Sequence, residues 1–124
     1  MIISSQTLST LNLADNEIGV DGARYLANAL KKNNNITTLF LSGNKIGDEG
    51  TKYIADALQT NKKLTKLGLG KNQITSQGAR YLIDALRKNS TLTTLYLEYN
   101  DIGTEEKKTL TTLKKTNKKL NIEF

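Results

Sequence analysis

One unit recurs along this chain every 28 residues. Leu8, Ile36, Leu64, Leu92 and Leu120 each open a copy. Four copies share the frame L-x-x-L-x-L-x-x-N-x-I, as Leu8, Leu11, Leu13, Asn16 and Ile18 show in the first. Ile36-Leu39-Leu41-Asn44-Ile46, Leu64-Leu67-Leu69-Asn72-Ile74 and Leu92-Leu95-Leu97-Asn100-Ile102 repeat it. A period of this length means a stacked array in which each unit buries its apolar face against its neighbours. Such a core is a strip, so function belongs on the surface of the array and not in a central cavity.

The frame needs only one domain, spanning 1–124, with the last unit from 104 to 124 acting as a polar cap. Cysteine and histidine are absent, which removes disulfides, thiol chemistry and the commonest general base and metal ligand. No cofactor is expected. The N-terminus lacks the basic region and long apolar run of a signal peptide, and no apolar stretch is long enough to span a bilayer. These features favour a cytoplasmic or otherwise intracellular protein, delivery into a host cell included, with no membrane insertion. Asn35-Ile36-Thr37 and Asn89-Ser90-Thr91 fit the glycosylation sequon, a pattern short enough to arise by chance.

The net charge of +6 is concentrated at one end. Residues 107–119 carry six lysines and no acid, whereas the remaining twelve basic and twelve acidic residues cancel. A uniformly basic nucleic-acid binder would look different.

Within one unit, the period-2 apolar pattern at Ile36, Leu39 and Leu41 predicts a strand. Asn44 then sits where a side chain can bond backbone groups of neighbouring coils. Ile46-Gly47 turns the chain, and Asp48-Glu49 opens a helix against its positive end. Tyr53, Ile54, Ala57 and Leu58 supply its apolar face, and Asn61 marks its stop. The repeat predicts strands near 8–13, 36–41, 64–69, 92–97 and 120–124, and helices near 20–32, 48–60, 76–88 and 104–116. Alternating strands and helices require a parallel sheet with right-handed crossovers. Strands need about 4.8 Å each and helices about 10 Å, so the stack curves with the sheet inside.

The frame, its length and the G-A-R-Y-L-x-x-A-L helix (Gly22 to Leu30, Gly78 to Leu86) resemble the ribonuclease-inhibitor-like subfamily of leucine-rich repeats. The resemblance implies an α/β solenoid: a short horseshoe with about five parallel strands on the concave face and four helices on the convex face. It also implies a non-enzymatic scaffold for another protein. Members include nuclease inhibitors, immune-receptor arms, actin regulators, GTPase activators and bacterial effectors. Both ends depart from the pattern. Met1-Ile2 matches the register of Ala29-Leu30, the tail of a further helix, and the last strand is one residue short. The fourth helix has Thr109 for Tyr81 and Lys114 for Leu86. The N-terminal strand has no evident cap, which leaves a longer array or self-association through edge strands open.

Between the frame residues lie columns that vary from copy to copy and face the concave side. The middle column is Asn12, Phe40, Gly68, Tyr96, flanked by Thr10, Thr38, Lys66, Thr94 and by Ala14, Ser42, Gly70, Glu98. The next is Asp15, Gly43, Lys71, Tyr99. Phe40 and Tyr96 stand two strands apart, about 9.6 Å, with Gly68 between them. Two arrangements fit: an open notch between aromatic walls that anchors a partner, or rings leaning over the glycine backbone. Protein-binding candidates are therefore Asn12, Asp15, Phe40, Lys66, Gly68, Lys71, Tyr96, Glu98 and Tyr99.

Other features carry less. Tyr25, Tyr53 and Tyr81 recur at 28 and are expected to fill the helix–sheet layer. Asp48-Glu49 and Glu105-Glu106 suit helix N-termini better than acid–base pairs. Gly68-Leu69-Gly70-Lys71 fails the spacing of a phosphate loop. The columns offer no convergent nucleophile, base and oxyanion donor, so no enzyme is expected. The favoured function is binding an unidentified protein through the concave face. Two alternatives are electrostatic binding of nucleic acid or an anionic surface by the lysine-rich end, which the lack of interleaved aromatics disfavours, and a module regulating an enzyme such as a small GTPase.

Overall fold

The computed structural model describes residues 8–124. Five short strands, β1 (Thr10–Asn12), β2 (Thr38–Phe40), β3 (Lys66–Gly68), β4 (Thr94–Tyr96) and β5 (Asn121–Glu123), form one parallel sheet in chain order. Between them run α1 (Gly19–Lys32), α2 (Gly47–Leu58), α3 (Ser76–Leu86) and α4 (Thr104–Thr112), the last followed by a 3-10 turn at Leu113–Lys115. The expectation at Met1-Ile2 lies outside the described residues.

The strands are three residues long, shorter than the five- and six-residue runs read from the sequence. Only the centre of each run pairs as a strand, because the chain must turn at the asparagine column to reach its helix. Leu39 pairs with Leu11 and Leu67, and Leu67 with Leu95, all at the 28-residue offset. The last pairing is Leu95 with Ile122, an offset of 27, which is the missing residue seen in the sequence.

Leu39, Leu41, Leu67, Leu69, Leu95 and Leu97 are buried beneath the sheet. The helices contribute Ala23, Ala27 and Leu30 from α1, Ile54, Ala57 and Leu58 from α2, and Ala79, Leu82 and Leu86 from α3. Alanines let the helix axes approach the sheet closely. The tyrosine column fills this layer in part: Tyr53 and Tyr81 are half-buried and pack against the core, whereas Tyr25 is 65% exposed. The ring lies one helical step, about 100°, away from the inward Ile54 or Leu82 position and so falls at the margin. Leu8, a frame residue, is also exposed, since no preceding coil covers it among the described residues.

Asparagines join the coils. The buried Asn72 donates from Nδ2 to Leu41 O at 2.9 Å and Gly70 O at 3.1 Å. Its Oδ1 accepts from the backbone N–H groups of Asn44 and Ile46 at 2.9 and 3.3 Å. Asn44 and Asn100 repeat the arrangement in their own coils. A second ladder lies at the C-terminal ends of the helices, where the chain enters the next strand run. Asn61 and Asn89 donate to Leu30 O and Leu58 O at 2.7 and 2.6 Å and accept from the two N–H groups that open the next strand run. Asn61 is therefore more than a helix stop, and Asn89, only 2% exposed, is closed to glycosylation.

The fourth unit departs where its sequence does. Gly78 lies so close to the preceding loop that an added Cβ would come within 2.7 Å of Ile74 Cγ2. At the matching position α4 carries Glu106, whose carboxylate instead reaches Arg80 Nε at 3.3 Å. Leu110 is the one buried residue of α4.

Candidate protein-binding face

Alternation along the strands turns the second residue of each inward and the first and third outward. The outward residues of β2, β3 and β4 are therefore Thr38 and Phe40, Lys66 and Gly68, Thr94 and Tyr96. Register places Phe40, Gly68 and Tyr96 side by side. The rings do not stand apart as walls of an open notch. Their centroids are 6.4 Å apart at an interplanar angle of 42°, well inside two strand spacings. Phe40 leans over Gly68, which is buried although it faces outward. The glycine permits this, because a Cβ there would meet Phe40 Cδ1 at 3.0 Å.

The hollow that does exist lies one step further along the strands. It encloses about 370 Å³. Ser42, Gly43, Gly68 and Gly70 border it with little side chain, and Phe40, Tyr96 and Tyr99 supply aromatic surface. Asp15, Lys71 and Glu98 supply charge. Of the nine sequence candidates the fold thus gathers seven. Asn12 stays on β1 beside Phe40, and Lys66 lies half-buried on β3, both outside the hollow. Ser42, Gly43 and Gly70 complete it; their small side chains offered the sequence no chemical signal.

Positive φ recurs in the loops that follow the strands, at Glu17, Lys45 and Gln73 and again in the column that borders the hollow. Asp15, Gly43, Lys71 and Tyr99 all adopt positive φ, from 53° to 70°. Glycine is the residue this geometry prefers, and a bulky side chain there costs about 1 kcal/mol or more. Tyr99 nevertheless sits at φ 59° with 88% of its surface exposed. Neither packing nor backbone preference accounts for a tyrosine at that place. Asp15, Lys71 and Glu98 form no ion pair or side-chain hydrogen bond with the described residues.

A second hollow of about 330 Å³ lies on the convex side between α2 and α3, bordered by Tyr53, Tyr81, Glu49, Asp56 and Asp84. Its charges are partly matched: Asp56 pairs with Lys31 at 2.8 Å, and Lys52 Nζ lies 5.6 Å from the Tyr81 ring centre. The six lysines of the C-terminal end are all exposed, and none has a carboxylate within salt-bridge distance among the described residues. Lys107 Nζ lies 5.6 Å from the ring centre of Phe124. Among the described residues no cluster of His, Cys, Asp and Glu could hold a metal ion, and no helix is long and apolar enough to cross a membrane.

Comparison with known proteins fits this architecture. A leiomodin-1 structure described as actin-binding site 2 superposes with a TM-score of 0.86 at 26% identity, covering 96% of this chain and 72% of that one. A tropomodulin C-terminal domain from Caenorhabditis elegans superposes with a TM-score of 0.83 over 95% of this chain and 73% of that one; at 15% identity it speaks for the fold alone. No curated protein sequence matches. The family model described as leucine rich repeat matches residues 4–27, 32–55, 60–82 and 88–105. Those segments follow the same 28-residue frame that builds the sheet and both asparagine ladders, and on this ground the chain belongs to the leucine-rich repeat family.

Proposed function

We propose that this leucine-rich repeat domain is a non-enzymatic protein-interaction scaffold that binds its partner across the concave strand face. One observation carries the reading: Tyr99, exposed at an unfavourable φ, shares a hollow with the Phe40–Tyr96 pair. Aromatic residues dominate protein interfaces, and exposed ones that serve no packing role are the expected anchors. Asp15, Lys71 and Glu98 provide unpaired charges around them, and Asn12 and Lys66 extend the same face. The chain acts as one module, with 104–124 as its polar cap, working inside the cell.

The leiomodin structure is titled an actin-binding site, so actin is the first partner to test. Affinity for actin, and capture from whole-cell lysate, would be compared between wild type and the Phe40→Ala/Tyr96→Ala double variant. A loss of about 2 kcal/mol or more with folding intact supports the concave face. Undiminished binding by the double variant overturns it.

The six unpaired lysines favour a second reading, electrostatic docking at the C-terminal end. Its mark is binding that ignores the double variant, falls steeply with salt and disappears when the lysines become glutamine.

A further inference from the structure

We infer that the concave hollow is a receptor for a single arginine side chain of the partner protein. The inference rests on the concave-face reading and specifies the chemistry of its central contact.

Size sets the first limit. About 370 Å³ is at the low end for a ligand site, and the hollow is open on one side. It takes one side chain, not a helix or a strand. Glycines at 43, 68 and 70 keep side chains off the lining and let Asp15, Phe40 and Glu98 press close, since a Cβ on Gly68 or Gly70 would come within 3.0 Å of Phe40 or 3.2 Å of Glu98 O.

Charge sets the second. Asp15 and Glu98 border the hollow and neither has a cation beside it among the described residues. Lys71 is the one opposing charge in the lining, so the site holds one net negative charge in a chain whose total is +6. An apolar side chain seated there would strip water from both carboxylates and return nothing. An anionic one would meet two like charges and the negative faces of aromatic rings. One cation neutralises the site.

Shape distinguishes arginine from lysine. The lining offers two tyrosines and a phenylalanine beside two carboxylates. A guanidinium stacks its flat face on aromatic rings while its edge donates in the same plane to carboxylate oxygens. An ammonium, more strongly hydrated and without a planar fork, uses only part of that arrangement.

The test is a titration of isotope-labelled protein with millimolar N-acetyl-arginine amide, and with the corresponding leucine and glutamate amides, followed by amide NMR shifts. Arginine is expected to shift Gly43, Gly68, Gly70 and Tyr99, with the glutamate amide silent. Glu98→Gln and Asp15→Asn should each weaken the arginine response about threefold. Lys71→Ala should strengthen it, a sign that an anion receptor would reverse. Equal shifts from the leucine amide, no response to arginine, or weaker binding in Lys71→Ala would each overturn the inference. The concave-face reading is scored separately by the captured partner. If Phe40→Ala/Tyr96→Ala abolishes partner binding while Glu98→Gln and Asp15→Asn leave it unchanged, the face binds and the arginine assignment fails.

Discussion

Asp48 Oδ1 accepts the backbone N–H of Thr75 at 2.8 Å and that of Gly78 at 3.0 Å, so a carboxylate in the first turn of α2 caps α3. Its Oδ2 takes the Thr75 hydroxyl at 2.6 Å. The sequence suggested that Asp48 serves its own helix dipole. The structure gives it a second and more directional task between units. Asp48→Ala should therefore cost about 1–2 kcal/mol, read as a lower unfolding midpoint with faster hydrogen exchange at the start of α3. Glu49→Ala, the neighbouring exposed acid, should stay within about 0.5 kcal/mol. Equal effects from the two variants would return Asp48 to a simple dipole role.

The two asparagine ladders predict a contrast. Asn72 is buried and makes four side-chain hydrogen bonds. Asn72→Ala orphans the N–H groups of Asn44 and Ile46, while Leu41 O keeps the Asn44 side chain and Gly70 O keeps the Gly43 N–H, and it should cost about 2 kcal/mol or more. Asn117 stands 28 residues past Asn89, where the second ladder would continue, yet its Nδ2 is buried with no partner among the described residues, and Leu120 N bonds the Asn117 backbone oxygen at 3.1 Å. Asn117→Ala should change stability by less than about 1 kcal/mol, because the ladder is already broken there. Denaturant melts of the two variants decide the matter; a large loss at 117 would mean that this side chain does join the ladder in solution.

Glu106 makes the last unit sensitive to acid. A hydrogen bond with Ser76 is the main cause that holds its carboxyl below the usual carboxylate range; desolvation opposes it, and the residue's own backbone N–H and the Arg80 guanidinium add smaller lowering effects. A carboxyl lowered on folding contributes stability that is present above its ordinary pKa and lost as the pH falls through the folded value. Wild type should thus exceed Glu106→Gln in melting temperature near neutral pH, with the gap closing in acid below about pH 4. A gap independent of pH would assign the difference to packing.

The sequence shows the frame because its residues do not change from copy to copy. Leu39, Leu67 and Leu95 repeat as one type, as do Asn44 and Asn72, so period and role coincide. The inter-unit cap was invisible, since the matching positions are Val20, Asp48, Ser76 and Thr104 and no period flags them. Asn61 and Asn89 do repeat, but a helix stop explained them locally and concealed their reach of 31 residues back to Leu30 and Leu58. The tyrosine column was legible in part: periodicity fixes a direction around the helix, and Tyr53 and Tyr81 pack at the edge of the core while Tyr25 stays exposed. The hollow depends on ring rotamers and on the column at positive φ, neither of which a repeat pattern encodes.

Gly68 offers the sharpest test of whether the Phe40–Tyr96 pair is an anchor or only a cover for backbone. Its φ lies outside the left-handed region, so alanine meets no backbone penalty there. The new Cβ would stand 3.0 Å from Phe40 Cδ1, the edge of a ring that can give way. Gly68→Ala should then cost less than about 1 kcal/mol in stability. It should also push the two rings beyond their 6.4 Å separation, visible as altered ring-current shifts. If the leaning pair presents a preorganised surface, partner affinity falls about tenfold, because ordering the rings must then be repeated on binding. Shifts that move while affinity stays constant would leave the pair the smaller task of shielding the Gly68 backbone, and would move the anchor to Tyr99.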